Sequence, residues 1–302
     1  MRAALVASDF ESPHAKSAFP RLLSLTQENN IDAVSLLGQI YMKQNKPAEA
    51  QELLSKAMTL KSSPISSPTT IPSPDPTLST GPNPSTTLGL LHLQQKDIES
   101  ALETFKTAAH THDDPNAFYH LSTLEPRYST RWIDYTLRAA SSGHRTAAYN
   151  LGIFYALPLH EVLQRLDSSG RNELARFEKW WDGLLGQRES RRKKWALEWW
   201  YTAAMDGHAP AFLVYLKALW EGEGREECVT ALAGLSVLVR DEGGGFAAQW
   251  PDVVEEARRY LRAWEREWEE WLEEDGGRKA REKLEALRGR SELGFRAWLY
   301  NI

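Results

Sequence analysis

One spacing, kept twice, constrains this chain more than any other feature. Ala139-Ala140-Ser141-Ser142-Gly143-His144 leads into Ala147; 64 residues later Ala203-Ala204-Met205-Asp206-Gly207-His208 leads into Ala211. Both stretches read Ala-Ala-x-x-Gly-His-x-x-Ala. The glycine suits the residue just past a helix end, where φ is positive, and the alanine that follows opens the next helix at a tight crossing. Around these turns apolar residues recur at three and four positions and alternating β-branched runs are scarce, so the surrounding chain is expected to be helical. A helix–turn–helix unit that returns at a fixed period points to stacked hairpins, each burying the apolar face of its neighbour.

Weaker copies lie in register with the first. Ala33-Val34-Ser35-Leu36-Leu37-Gly38 followed by Tyr41 matches Ala147 to Gly152 followed by Tyr155, with a second helix from Ala48 to Ala57. Leu88-Gly89 opens another unit, whose second helix carries Ala101, Phe105, Ala108 and Ala109. Ala117-Phe118-Tyr119-His120-Leu121-Ser122 opens a third, with Ser122 at the glycine position. The marks at 89, 122 and 152 stand 33 and 30 residues apart, one helical hairpin each. Leu216 replaces the glycine in the last unit.

These residues resemble the Sel1-like repeats, relatives of the tetratricopeptide repeats. That pattern runs Ala-x-x-x-Leu-Gly-x-x-Tyr on a first helix, then Ala-x-x-Trp-Tyr-x-x-Ala-Ala on a second, then a Gly-His turn. Ala196-Leu197-Glu198-Trp199-Trp200-Tyr201-Thr202-Ala203-Ala204 with Gly207-His208 follows it closely. The resemblance covers roughly residues 31–61 and 87–234, although the glycine-rich loop between the two helices is mostly missing. It implies an all-α fold, an α/α solenoid of Sel1-like or TPR-like hairpins, right-handed, closed by a C-terminal helical cap. It also implies a scaffold or adaptor, not an enzyme, that holds one or more partner proteins on a concave surface lined by first-helix side chains. The lining expected here is Phe118, His120, Tyr149, Asn150 and Ile153. Complex assembly, quality-control adaptation and organelle biogenesis are the roles such a fold suggests.

The expected organisation is a helical lead-in over 1–30, a first repeat over 31–61, a linker over 62–86, repeats over 87–234 with an insertion at 156–194, and the cap over 246–302. The linker is set apart by composition. Seven of its 25 positions are Pro, twelve are Ser or Thr, and Asp75 is its only charge, so it can neither propagate a helix nor build a core. Its Ser-Pro pairs at 63–64, 67–68 and 73–74 are either acceptors for proline-directed kinases or parts of an inert spacer. In the cap, Val253, Ala257, Tyr260, Leu261, Trp264, Trp268, Trp271 and Leu272 fall on one helical face, with charged residues mostly on the others. Eleven of the twelve tryptophans fall from 180 onward. Most of these are expected in the core; Trp180 and Trp181 are adjacent, so one of them is expected to be exposed as a partner anchor. The cap could also serve as a dimer surface, and the oligomeric state is open.

Other chemistry is thin. A net charge of −5 argues against a dedicated nucleic-acid binder. The local exception is Arg188, Arg191, Arg192, Lys193 and Lys194, read either as the solvated start of a helix or as a surface for an anionic partner, RNA included. Cys228, the single cysteine, excludes an intramolecular disulfide and a multi-cysteine zinc site. His110 and His112 point to different sides of a helix and chelate poorly, so no metal or other cofactor is expected. Neither Gly222-Glu223-Gly224 nor Gly243-Gly244-Gly245 has the context of a phosphate-binding loop. No apolar run is long enough to span a bilayer. Asp9 and Glu11 argue against a cleaved targeting segment, and the expected compartment is intracellular, cytoplasmic or mitochondrial.

Overall fold

The computed structural model describes residues 13–62, 83–166, 170–176, 179, 188–222, 225–240, 245–275 and 284–285. Every element among them is an α-helix, and no strand occurs among the described residues. The chain forms two compact units, divided between Glu125 and Pro126. That division falls inside the hairpin expected to open at Ala117, and not at the proline-rich linker. Residues 63–82 of that linker and the first twelve residues lie outside the described residues.

Unit 1 carries α1 (Pro13–Gln27), α2 (Ile31–Lys43), α3 (Pro47–Ser62), α4 (Pro84–Gln94), α5 (Ile98–His112) and α6 (Pro115–Leu124). Consecutive helices pack on one another, and α2 also touches α4. Ala18, Leu22, Ala33, Leu36, Leu37 and Ile40 form one buried cluster, and Ala50, Leu54, Leu88 and Leu91 form the next. Unit 2 carries α7 (Thr130–Ser141), α8 (Arg145–Ala156), α9 (Leu159–Arg165), α10 (Arg188–Met205), α11 (Ala209–Trp220), α12 (Arg225–Arg240), α13 (Gly245–Gln249) and α14 (Pro251–Asp275). Residues 170–176 are also helical. Here α8 packs on α7 and α10, α11 on α10 and α12, and α14 on α11 and α12.

The hairpins share one packing device. A Cβ added to Gly38 would meet Leu54, one added to Gly89 would meet Phe105, and one added to Gly152 would meet the Trp200 ring, all at under 3.0 Å. Each first helix therefore accepts a large side chain of its second helix directly against its backbone. The partner lies sixteen positions on in the first two cases and forty-eight in the third. The third hairpin, α8 with α10, is thus the same hairpin opened by thirty-two extra residues. Alanines flank the contact at matching places: Ala50 and Ala57, Ala101 and Ala108, Ala196 and Ala203, all buried. In the α11–α12 hairpin Leu216 takes the glycine position and is fully buried in the same cluster as Leu232.

The turns repeat as well. After α7, the Gly143 N–H donates to the Ala140 carbonyl at 3.0 Å and the His144 N–H to Ala139 at 2.9 Å; after α10, Gly207 and His208 bond Ala204 and Ala203 at 2.9 and 3.1 Å. Both glycines have positive φ, +87° and +79°, as expected from the repeated spacing. Asn29, Asn45 and Lys96 hold the same left-handed position after α1, α2 and α4. This paired 6→1 and 5→2 bonding satisfies the last carbonyls of each helix. In four of these five turns the very next residue is the N-cap of the following helix: Asn30, Asp97, His144 and His208. One residue in left-handed conformation per turn therefore reverses the chain.

Unit 2 ends in a tryptophan-lined helix. On α14, Val254, Ala257, Trp264 and Trp268 are buried, and Val253, Tyr260 and Leu261 pack against them at its edge. The buried face centres on Val254, one residue from the Val253 read from sequence. Trp264 stacks on Trp220 of α11 with ring centroids 4.6 Å apart and planes 4° off parallel. Trp264 and Trp268 thus cover the α11–α12 hairpin and are not available as an outward dimer surface; the side chain of Trp271 lies outside the described set.

Replacing Gly152 with Ala is expected to destabilise the protein by about 1–3 kcal/mol, since the Trp200 ring must move or the helices separate. Gly143→Ala meets nothing within 4 Å and is expected to cost only about 1 kcal/mol, through its positive φ alone. Urea denaturation of the two variants followed by circular dichroism compares the costs; equal losses would contradict the close-contact account.

Candidate partner-binding surface

The first helices of unit 2 bury one side and leave the other half open. On α8, Ala147, Ala148, Leu151, Gly152, Phe154 and Tyr155 face inward. Tyr149, Asn150 and Ile153 remain half-buried on the other side. The Tyr149 ring lies 4.8 Å from the ring of His208, which caps α11. Burial raises the Tyr149 hydroxyl above its ordinary range, while Arg127 and Lys217 pull it down and Glu256 pushes it up. Lys217 Nζ sits 3.8 Å from Glu256 Oε1 and 4.5 Å from the centre of the Tyr260 ring. Its pKa is raised, first by a hydrogen bond with Tyr260 and also by Glu256. Tyr215 of α11 lies 5.6 Å from Tyr201, and burial raises its hydroxyl too. Lys217, Glu256 and Tyr260 thus meet where α11 and α14 pack together.

Tyr149, Asn150 and Ile153 are expected from sequence to line a surface; Lys217, Glu256 and Tyr260 are not. Lys217 occupies on α11 the place that Ile153 holds on α8, counted from Ala211 and Ala147, so the repeat register could have found it. Glu256 and Tyr260 carry no such signal, because α14 does not follow the repeat spacing.

In unit 1 the two expected lining residues separate. Phe118 is 2% exposed and meets His110 edge-on at 5.9 Å; it is a core residue, which corrects the expectation. It falls where α8 has Ala148, on the inward side. His120 is half-buried, stacked on Phe105 at 5.2 Å. Burial depresses its pKa, and nearby Asp114 opposes this in part. Asp114 is itself buried at the N-cap of α6, where it accepts from the Asn116 backbone and from the Thr86 hydroxyl of α4. Trp180 and Trp181 lie outside the described residues.

The basic cluster is not one surface. Residues 188–194 form the start of α10 and not the end of the insertion, and the side chain of Arg188 lies outside the described set. Lys193 and Lys194 are exposed. Arg191 is half-buried, its guanidinium 5.3 Å from the Trp195 ring centre. Arg192 is 3% exposed, which corrects its assignment to an anion-facing surface. Its Nη2 donates to the carbonyls of Phe154 at 2.7 Å and Leu157 at 3.3 Å. Its guanidinium lies 5.0 Å from the Phe154 ring centre and 5.4 Å from that of Tyr155. A cation at a helix C-terminus satisfies orphan carbonyls and complements the dipole. Arg192 thus ties the point where the insertion leaves α8 to the first turns of the helix on which it returns.

Among the described residues no group of three or more His, Cys, Asp or Glu is placed to hold a metal ion. Cys228 is half-buried, and burial with Glu227 and Glu267 pushes its thiol up, away from the reactive thiolate. No described helix is long and apolar enough to cross a membrane.

The family model of the tetratricopeptide repeat matches residues 31–64, which is α2, α3 and the two residues after them. No curated protein matches the chain. The match and the matched packing at Gly38, Gly89 and Gly152 make this a tetratricopeptide-like helical-repeat fold.

Arg192→Met is expected to destabilise unit 2 by about 2–3 kcal/mol, because it strips two buried carbonyls of a charged donor. Lys194→Ala, at an exposed position, is expected to stay within about 0.5 kcal/mol of the parent. Chemical denaturation followed by tryptophan fluorescence measures both; a silent Arg192→Met would show that the two carbonyl bonds contribute little.

Proposed function

We propose that this chain is a non-catalytic scaffold of the Sel1-like kind, holding a partner protein or peptide on the half-open face of unit 2. Tetratricopeptide repeats generally mediate protein–protein contact. The observation that carries the reading here is the half-buried side of α8 and α11, where Tyr149 packs on His208 and Lys217 meets Glu256 and Tyr260 of α14. Tyrosines offer large, rigid, amphipathic contact area, and the Lys217–Glu256 pair gives orientation more than affinity. Asn150 and Ile153 extend the face along α8. A role in assembling a larger complex fits such a surface, which holds without transforming. The RNA-contacting reading loses support from the burial of Arg192, which leaves Lys193 and Lys194 as its exposed members among the described side chains.

The test is affinity purification of the tagged full chain from its own cells with and without RNase, then titration calorimetry with the recovered partner. Ile153→Ala combined with Asn150→Ala is expected to weaken binding about tenfold or more, the scale of a central anchor. The control variant Lys193→Ala with Lys194→Ala is expected to bind like the parent. Equal affinity of all three proteins, or partners that vanish with RNase, would move the binding site away from this face.

A further inference from the structure

Two helices of unit 2 are capped by imidazoles. At α8 the His144 Nδ1 accepts from the Ala147 backbone N–H at 3.1 Å, and at α11 the His208 Nδ1 accepts from Ala211 at 3.2 Å. Other helix starts do the same work with side chains that do not titrate near neutrality: Asn30 at α2, Asp97 at α5 and Ser129 at α7. An Nδ1 that accepts carries no proton, so each ring is neutral with its proton on Nε2.

We infer that His144 and His208 form a paired acid-sensitive clasp, whose protonation releases the first turns of α8 and α11 together. Two effects act in the same direction. A protonated Nδ1 cannot accept, so the backbone N–H it served is left unpaired; and a cation at a helix N-terminus opposes the dipole. His208 has little access to water that would ease the charge. It is 3% exposed, with the Tyr149 ring 4.8 Å away and the Trp250 ring 5.3 Å away. The groups facing it from α8 and its cap are Tyr149, Arg145 and His144, and from the segment before α14 the uncharged Trp250 lies against it. Burial first, then Arg145 and His144, hold its pKa down to about 4 from 6.5.

The direction of the pH effect follows from that depression. A group whose folded pKa lies below its unfolded value adds stability above the unfolded pKa, and that stability is lost as pH falls from 6.5 towards 4. From His208 alone the folded-to-unfolded ratio is expected to be about thirty-fold lower at pH 5 than at pH 7.5. The two released turns begin the helices that carry Tyr149, Asn150, Ile153 and Lys217. The clasp stands on the cap geometry and does not depend on what binds there.

The experiment compares the full chain with His144→Asn/His208→Asn, in which asparagine caps as Asn30 does and does not titrate. Urea denaturation from pH 7.5 to 5 gives the pH profile, and amide hydrogen exchange reads Ala147 and Ala211 directly. The expected result is an excess loss in the parent of about thirty-fold, absent from the double variant, with both amides exchanging faster as pH falls, beyond the intrinsic pH dependence. Should the double variant fail to fold, His144→Asn alone and NMR of the His208 ring decide the matter. The ring is expected to be the Nε2–H tautomer and to stay neutral down to about pH 4. Parallel pH profiles in parent and variant, or a His208 that protonates near 6.5 while the Ala211 amide keeps its protection, would overturn the clasp.

Discussion

The architecture depends on a contact between a helix backbone and one large side chain. Where Gly38, Gly89 and Gly152 stand, Leu54, Phe105 and Trp200 fill the space that a Cβ would occupy. The side chain is buried in full, the first helix loses nothing but a methyl group, and the alanines at the flanking positions let the two helices approach along their length. Glycine inside a helix costs about 1 kcal/mol relative to alanine. Burial of a side chain the size of leucine or phenylalanine is worth about 1.5–3 kcal/mol, so the exchange favours the hairpin. Because the contact is local to one hairpin, the chain can wander between its two helices without losing it. Loop closure rises only with the logarithm of length, and the thirty-two extra residues between α8 and α10 add little beyond it. Arg192 holds the neck of that excursion by binding the carbonyls at its start.

Much of this was written in the local chemistry of the chain. Gly143 and Gly207 announce their turns because no other residue takes positive φ so cheaply. The alanine spacing announces the second helices. Other turns are silent for the same reason: Lys96 takes a left-handed conformation at φ of 65°, and lysine does not signal that in a sequence. The pattern cannot say where one compact unit ends, since the division at Glu125 falls inside an expected hairpin and depends on how much surface each neighbour covers.

The surface was legible in proportion to how closely it follows the repeat. Tyr149, Asn150 and Ile153 come from the register of α8. Phe118 shows what happens when residue type is read before register. It looks like an exposed anchor because it is aromatic, yet it aligns with Ala148 and turns inward. Arg192 misleads in the same way. Among five cations in seven residues it reads as solvated charge, but its acceptors, the Phe154 and Leu157 carbonyls, lie 38 and 35 residues earlier in the chain. A side chain whose partners are that distant gives no local sign of being buried. Glu256 is the third case: it belongs to the surface only because α14 folds back over α11, and its pairing with Lys217 exists only in three dimensions.

Two sets of aromatic residues in unit 2 differ in burial. Trp200, Trp264 and Trp268 are buried and cover hairpins. The tyrosines at 149, 215 and 260 are half-buried instead, each ring packed against a neighbouring ring. Tryptophan has one donor and no acceptor, whereas a tyrosine hydroxyl both donates and accepts. A rim of half-buried phenols therefore offers a second molecule adaptable hydrogen-bonding groups that buried indoles do not. Binding through such a rim needs the helices beneath to stay wound to their first turn, and in α8 and α11 that turn is held by a histidine.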